Sequence, residues 1–129
     1  MRTLLLQTET DEQSWIREAL RTRGHAVDAC ADAETAWLAY RRAWYPLVVL
    51  SGDFAVNLDL CRRLRMQDDG EATTIVAVLD DAAPALLQAA LEAGADDYVL
   101  CSLGPERLHA RLAFIERNAL VKTRRAEAA

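Results

Sequence analysis

Polar side chains follow short apolar runs at four places in this 129-residue chain, and reactive or ligand-binding groups are expected there. Each place begins where an apolar run typical of a buried strand ends. The side chains include carboxylates, hydroxyls and one thiol, which are groups able to act as nucleophiles or in acid–base chemistry. Of Gln7, Thr8 and Glu9, however, only the last is a carboxylate. The four places are residues 7–11, 51–54, 79–82 and 101–102.

The cysteines and histidines do not form the spacing of a metal site or of a disulfide framework. Cys30, Cys61 and Cys101 are widely separated, and only His25 and His109 accompany them. Unpaired cysteines suit a reducing compartment, so a cytoplasmic location is expected. Cys101 has no lysine or arginine beside it in sequence to activate its thiol, so a passive small residue is predicted there. The two histidines fall on polar, exposed-looking faces and are predicted to be non-catalytic.

Strand-like and helix-like segments alternate along the chain, as in a parallel sheet wrapped by helices. The run 47–51 is the most continuously apolar, which favours the central position, while 26–30 is more amphipathic and favours an edge. Right-handed crossovers and short connections predict a flavodoxin-like, doubly wound (βα)5 sheet of strand order 2-1-3-4-5. Such sheets bind ligands at the carboxyl ends of their strands, so the four polar places are expected to share one mouth. Helices are predicted to begin at a Thr10–Gln13 capping box, Asp32, Asn57, Pro84 and Pro105.

Composition and charge argue against a nucleic-acid-binding protein and against a membrane protein. The net charge of -5 argues against a nucleic-acid-binding surface, and direct nucleic-acid binding by this domain is not expected. No apolar run approaches the roughly 20 residues that a membrane-spanning helix needs, so no membrane insertion is expected. The N-terminus lacks the features of a signal peptide. The basic run Lys122, Arg124 and Arg125 is predicted to be a solvated helix end that suits the helix dipole.

Four segments, taken in order and at their spacing, resemble a response-regulator receiver domain over residues 2 to about 118. They are GHAVDACADAETA (24–36), YPLVVL (45–50), DLCRRLR (59–65) and ALEAGADDYVL (90–100). The resemblance implies phosphoryl transfer from a histidine kinase to an aspartate at the end of the third strand. It also implies a magnesium ion held by that aspartate and an acidic pair after the first strand, a charge-neutralising lysine, and a switch hydroxyl coupled to an aromatic residue.

Most of that machinery is missing from the matching positions. The acidic pair falls on Thr8 and Glu9, and counting forward from Pro46 places the acceptor aspartate on Gly52. The switch hydroxyl falls on Leu79 and the lysine on Cys101. These positions predict a degenerate pocket.

Tyr98 is the one position that matches the family well, as its aromatic switch residue. The resemblance places it in the surface made by helix 4, strand 5 and helix 5. Without a switch hydroxyl, its rotamer is expected to be fixed by packing, and this surface is expected to support self-association.

Two carboxylates leave an alternative open. Asp53, one residue beyond the expected acceptor, is a candidate phosphoacceptor if a bulge re-aims it, although a solvated loop aspartate is the default. Glu9 and Asp53 are the candidate metal ligands, and Glu9 equally suits a helix dipole without any metal. Asp80 and Asp81 are predicted to cap the helix that carries Pro84.

The sequence therefore predicts a non-enzymatic receiver module of two-component signalling that has lost phosphorylation and acts by protein–protein interaction or dimerisation. Its expected partners are a histidine kinase or a downstream output domain, with a possible homodimer. No cofactor is expected, and magnesium only if Asp53 is an acceptor. A flavodoxin-like nucleotide or flavin binder is disfavoured because no glycine-rich phosphate loop follows the first strand.

Residues 1–118 are assigned to the receiver-like domain and 119–129 to a C-terminal helix extension or linker. Leu108, Leu112, Ile115 and Ala119 recur at helical seam spacing, and VKTRRAEAA beyond them stays helix-prone. This predicts a helix leading into a downstream domain.

Overall fold

The computed structural model describes residues 1–7, 14–80 and 83–128, in which strands and helices alternate. The strands are β1 (Arg2–Leu6), β2 (Ala26–Cys30), β3 (Leu47–Leu50), β4 (Thr74–Leu79) and β5 (Asp97–Leu100). The helices are α1 (Ser14–Thr22), α2 (Ala33–Arg42), α3 (Phe54–Arg65), α4 (Pro84–Ala93) and α5 (Pro105–Ala128). The predicted capping box of Thr10 and Gln13 lies outside the described residues.

The five strands form one parallel sheet in the order β2-β1-β3-β4-β5, which confirms the predicted topology. β3 is the central strand and all four of its residues are buried. β2 lies at an edge, where four of its five residues are exposed or half-buried. The apolar run thus marked the strand that is covered on both faces, and the amphipathic run marked a strand covered on one side only.

Alternate side chains of the strands feed two separate cores. Leu4, Val48 and Leu50 lie in the core under α2, α3 and α4, while Leu5 and Val49 lie in the core under α1 and α5. This alternation is the two-residue period of a strand. The predicted seam of α5 is buried: Leu108, Leu112 and Ile115 pack into the second core, and Ala119 is also buried.

Two helix starts differ from their predictions. Asp53, not Asn57, caps α3, because the connection after β3 is short and the helix begins at Phe54. Asn57 lies one turn inside α3 and is buried. The N-cap position of α4 is held by Ala83 rather than by Asp80, and Asp81 lies outside the described residues. Pro84 supplies the helical φ angle at the first turn of α4 without needing a side-chain cap.

His25 is buried, which corrects the prediction of an exposed histidine. Its Nε2 donates to Glu116 of α5 at 2.8 Å, and its Nδ1 shares a hydrogen bond with Thr3 Oγ1 at 2.8 Å. Arg23 donates two further hydrogen bonds to the Glu116 carboxylate, at 2.6 and 2.8 Å. Gly24, with φ of 89°, makes the turn that brings Arg23 and His25 under α5 at the amino end of the sheet.

A second ion cluster holds α5 beside β4 and β5. Lys122 donates to Asp96 at 2.6 Å and to the Thr73 carbonyl at 3.1 Å, so it is not the solvated helix end that the sequence predicted. Asp96 also binds Arg65 of α3, whose guanidinium reaches the carbonyl oxygens of Gly94, Gly70 and Thr73 at 2.6–2.7 Å. This cluster ties α3 and α5 to the start of the two last strands.

We predict that Glu116→Gln removes part of the acid sensitivity of folding. The hydrogen bond from Arg23, with a further one from His25, holds the pKa of Glu116 below its ordinary value. The resulting stabilisation is present above the unfolded-state pKa of about 4.3 and is lost as the pH falls through the lower folded-state pKa. The variant should lose about 1–2 kcal/mol at pH 7, and this difference from the unchanged chain should shrink as the pH is lowered from 5 to 3.

Urea unfolding at pH 7, 5, 4 and 3 measures this difference. Glu127→Gln, an exposed glutamate on the same helix, is the matched control and should run parallel to the unchanged chain. A Glu116→Gln curve that also runs parallel would contradict the prediction.

Candidate functional site

The strand register brings the predicted site positions to one edge of the sheet. Leu6 pairs with Leu50, Leu50 with Ala77, and Leu79 with Leu100. Residues immediately beyond these pairs therefore meet at the carboxyl end of the strands, where doubly wound sheets bind their ligands. Thr8 and Glu9, which the sequence predicts at this edge, lie outside the described residues.

The segment after β3 turns sharply into α3. Ser51 is fully buried and donates its backbone N–H to the Leu6 carbonyl at 2.8 Å. Gly52 has a φ of 96°, in the left-handed region that favours glycine. Asp53 is exposed, and its carboxylate accepts a hydrogen bond from the Val56 N–H at 3.1 Å. Asp53 is thus the helix cap of α3, where the sequence predicted a solvated loop aspartate as the default.

Leu79 and Cys101 lie side by side across β4 and β5. The Cys101 N–H donates to the Leu79 carbonyl at 2.9 Å, which extends the pairing of the two strands. The Leu79 side chain is buried in the core under α2, α3 and α4. Cys101 is half-buried and packs on the opposite face, against the core under α1 and α5. These two positions provide an apolar side chain and a thiol, not a hydroxyl and an ammonium group.

The two buried cysteines, Cys30 and Cys61, have thiols of low reactivity. Burial raises the pKa of the Cys61 thiol to about 11, and burial likewise raises the pKa of Cys30. Both thiols therefore stay protonated near neutral pH, and a protonated thiol is a poor nucleophile and metal ligand.

Tyr98 lies half-buried on β5, packed against the core under α2, α3 and α4. The guanidinium of Arg111, on α5, lies over its ring at 5.0 Å from the ring centre. Arg111 also donates to the Tyr98 carbonyl at 3.2 Å and forms an ion pair with Asp97. Sequence reasoning found Tyr98 but missed Arg111, because a contact between an edge strand and the following helix leaves no local pattern.

The described residues contain no group of three or more histidine, cysteine, aspartate or glutamate side chains arranged to hold a metal ion. Asp53 is the only one of the two candidate metal ligands within them, and one of its oxygens is engaged by the α3 cap. Whether Glu9 and Asp53 bind a metal together therefore stays a prediction. Within the same residues, no helix is both long and apolar enough to cross a membrane.

Comparison with known proteins identifies the family. No protein-family model matches the chain. Over 120 residues it is 34% identical to the two-component response regulator ORR41 of Oryza sativa subsp. japonica, covering 88% of this chain and 92% of that protein. The chain belongs to the response-regulator receiver family.

A second relative is longer than the receiver domain. Response regulator RppA of Synechocystis is 29% identical over 123 residues, which cover 92% of this chain and 52% of RppA. The chain thus spans about half the length of this relative. Among solved structures, chemotaxis response regulator CheY4 of Vibrio cholerae shares the fold with a TM-score of 0.77 at 18% identity, over 88% of this chain and 97% of CheY4.

We predict that Asp53 acts as a helix cap in this receiver domain. Asp53→Ala should lower the free energy of unfolding by about 1 kcal/mol, because the Val56 N–H loses its acceptor. Asp53→Asn retains a capping oxygen and should change stability little. Urea unfolding compares the three proteins, and an alanine variant as stable as the unchanged chain would remove the capping role.

Proposed function

We propose that this receiver domain acts without phosphorylation of its own, as a protein-interaction or dimerisation module of two-component signalling. The observation that carries the proposal is the end of β3, where Ser51 and Gly52 follow Leu50 and the first carboxylate, Asp53, caps α3. The nearest candidate nucleophile is therefore an exposed capping residue rather than a side chain presented from the strand end.

The proposal does not depend on an exact count along the chain. Counting from Pro46 places the acceptor position on Gly52, and counting one residue less places it on Ser51; neither residue has a carboxylate. An aspartate substituted at Gly52 would also meet the left-handed backbone, whose φ of 96° disfavours any side chain by about 1–2 kcal/mol. Restoring the acid there would require the turn into α3 to be rebuilt.

The groups that would stabilise a transferring phosphoryl group are also altered. At the switch position Leu79 offers no hydrogen-bond donor, and at the lysine position Cys101 offers no positive charge. Loss of one preorganised donor costs roughly 3 kcal/mol of transition-state stabilisation, or two to three decades in rate. Such losses are not additive, but both act in the same direction. With Thr8 in the acidic pair, Glu9 would have to hold magnesium with few other carboxylates.

Phospho-acceptance by Asp53 is the second candidate function. Its supporting observation is that Asp53 is exposed beside the mouth of the sheet and therefore accessible to a phosphoryl donor. Against it, the side chain follows the left-handed Gly52 and is oriented toward the first turn of α3.

The interaction surface of the proposed module lies on α4, β5 and α5. Phe114 and Val121 are 48% and 42% exposed, and their seven-residue spacing sets them on one face of α5. Arg111 shares that face and contacts β5. The proposed partners are a second copy, a histidine kinase or an output domain. Residues 119–129, of which 119–128 belong to α5, are proposed as a helix extension or linker to a downstream domain.

We predict that incubation with acetyl phosphate and magnesium gives no stoichiometric phosphoryl adduct, because acceptor, hydroxyl and lysine positions are all altered. Intact-mass analysis and peptide mapping measure the adduct, with a conventional receiver domain treated in parallel. A stoichiometric adduct on Asp53 that Asp53→Ala abolishes would overturn the proposal and establish the second candidate.

We predict that the domain self-associates through the α4, β5 and α5 surface. A Phe114→Ser, Val121→Ser double variant should weaken the dimer at least about tenfold in sedimentation velocity, because burial of two apolar side chains is lost. Leu120→Ser is the matched control, since Leu120 is 47% exposed but lies on a different face of α5. A monomer at high concentration, or equal weakening by both substitutions, would contradict this surface.

A further inference from the structure

Arg111 is the centre of a closed set of contacts around Tyr98. The Asp97 carboxylate accepts the Tyr98 N–H at 2.8 Å and also pairs with Arg111. Arg111 Nε donates to the Tyr98 carbonyl at 3.2 Å. Both backbone polar groups of Tyr98 are therefore bonded to the same ion pair, while the guanidinium lies over the ring.

These contacts join an edge strand to the last helix. β5 is the outermost strand beside β4, so the free side of its backbone is where a further strand or solvent would otherwise bind. The Arg111 guanidinium also lies 5.8 Å from the centre of the Phe114 ring. One side chain thus links Tyr98, Asp97 and Phe114, one of the exposed apolar residues of α5.

We propose that Arg111 is a built-in latch that holds Tyr98 in one position and fixes the β5–α5 surface whatever occupies the mouth of the sheet. This rests on the proposed function, in which no hydroxyl at Leu79 draws Tyr98 toward the mouth. A ligand shifts a conformational equilibrium only by its differential affinity for the two states. The latch contacts come from α5 and from the residue preceding Tyr98, so a ligand beside Leu79 touches none of them.

Arginine is suited to this role and lysine much less so. Its planar guanidinium can stack over an aromatic ring while its separate N–H groups reach a carbonyl and a carboxylate. A lysine ammonium keeps the charge but cannot make this combination of contacts. Arg111→Lys therefore separates the geometry of the latch from its charge.

The test follows Tyr98 directly in the full chain labelled with 3-fluorotyrosine. The chain has three tyrosines, of which Tyr40 and Tyr45 are buried and serve as internal references. Tyr98→Phe assigns the Tyr98 fluorine signal. Arg111→Met retains the apolar stem and removes the guanidinium, and Arg107→Ala, an exposed arginine one turn earlier on α5, is the matched control.

The unchanged chain and Arg107→Ala should each give one narrow Tyr98 signal. In Arg111→Met, the population ratio of the latched ring position of Tyr98 to a second, released position should change about tenfold. The change is seen as a second fluorine signal or as an exchange-shifted one. Arg111→Lys should change it in the same direction by less, and it decides the question if the methionine variant does not fold. An unchanged Tyr98 signal in the folded Arg111 variants would overturn the latch, because packing alone would then hold the ring.

A further experiment distinguishes failure of this inference from failure of the proposed function. Acetyl phosphate and magnesium are added to the unchanged labelled chain, and the adduct and the Tyr98 signal are measured together. An adduct with an unmoved signal would end the phosphorylation-independent function and leave the latch standing. An adduct that moves the signal would overturn both.

Discussion

Burial of β3 on both faces is the constraint on which the rest of the structure depends. Its four residues are inaccessible to water and alternate between the two cores, so they must be covered by helices on both sides. A shift of one residue in its pairing with β1 or β4 would exchange the two sets of side chains. The register that burial fixes also decides which residues emerge at the carboxyl edge, and these are Ser51 and Gly52.

The fold was predictable because its signals are local and periodic, whereas the departures come from distant partners. Apolar runs predicted the strands and the central position of β3, and right-handed crossovers with short connections predicted the strand order. The sequence predicts an exposed face for His25 because its partner Glu116 lies 91 residues away. The sequence predicts a solvated helix end at Lys122 for the same reason, since its partner Asp96 lies 26 residues away, just before β5. The start of α3 was missed because Asp53 and Asn57 are both good capping residues, and only the short turn at Gly52 selects the first.

At the candidate site, the residue types were predictable from the sequence, but the backbone conformation was not. Residue types at matching positions were enough to predict that Leu79, Cys101 and Gly52 lack the groups of a phosphoryl-transfer site, and the register brings these three to one edge. The conformation of the β3–α3 turn was not available from sequence, because a glycine is compatible with many backbone angles. The capping of α3 by Asp53 was also not predictable from the sequence, because it depends on where the helix begins.

α5 is the element on which the separate observations converge. Glu116 holds it to the α1–β2 turn, Lys122 holds it to Asp96, and Arg111 holds it to β5, while its apolar stripe fills a core. Arg111 and Lys122 are eleven residues apart and lie on one face of the helix, whereas Glu116 lies on another. Moving α5 would therefore require breaking charged contacts with several elements together. A helix fixed in this way is poorly suited to shifting in response to a small change at the sheet mouth. It is well suited to presenting a constant surface, and a change in signalling output would then have to come from which partner occupies that surface.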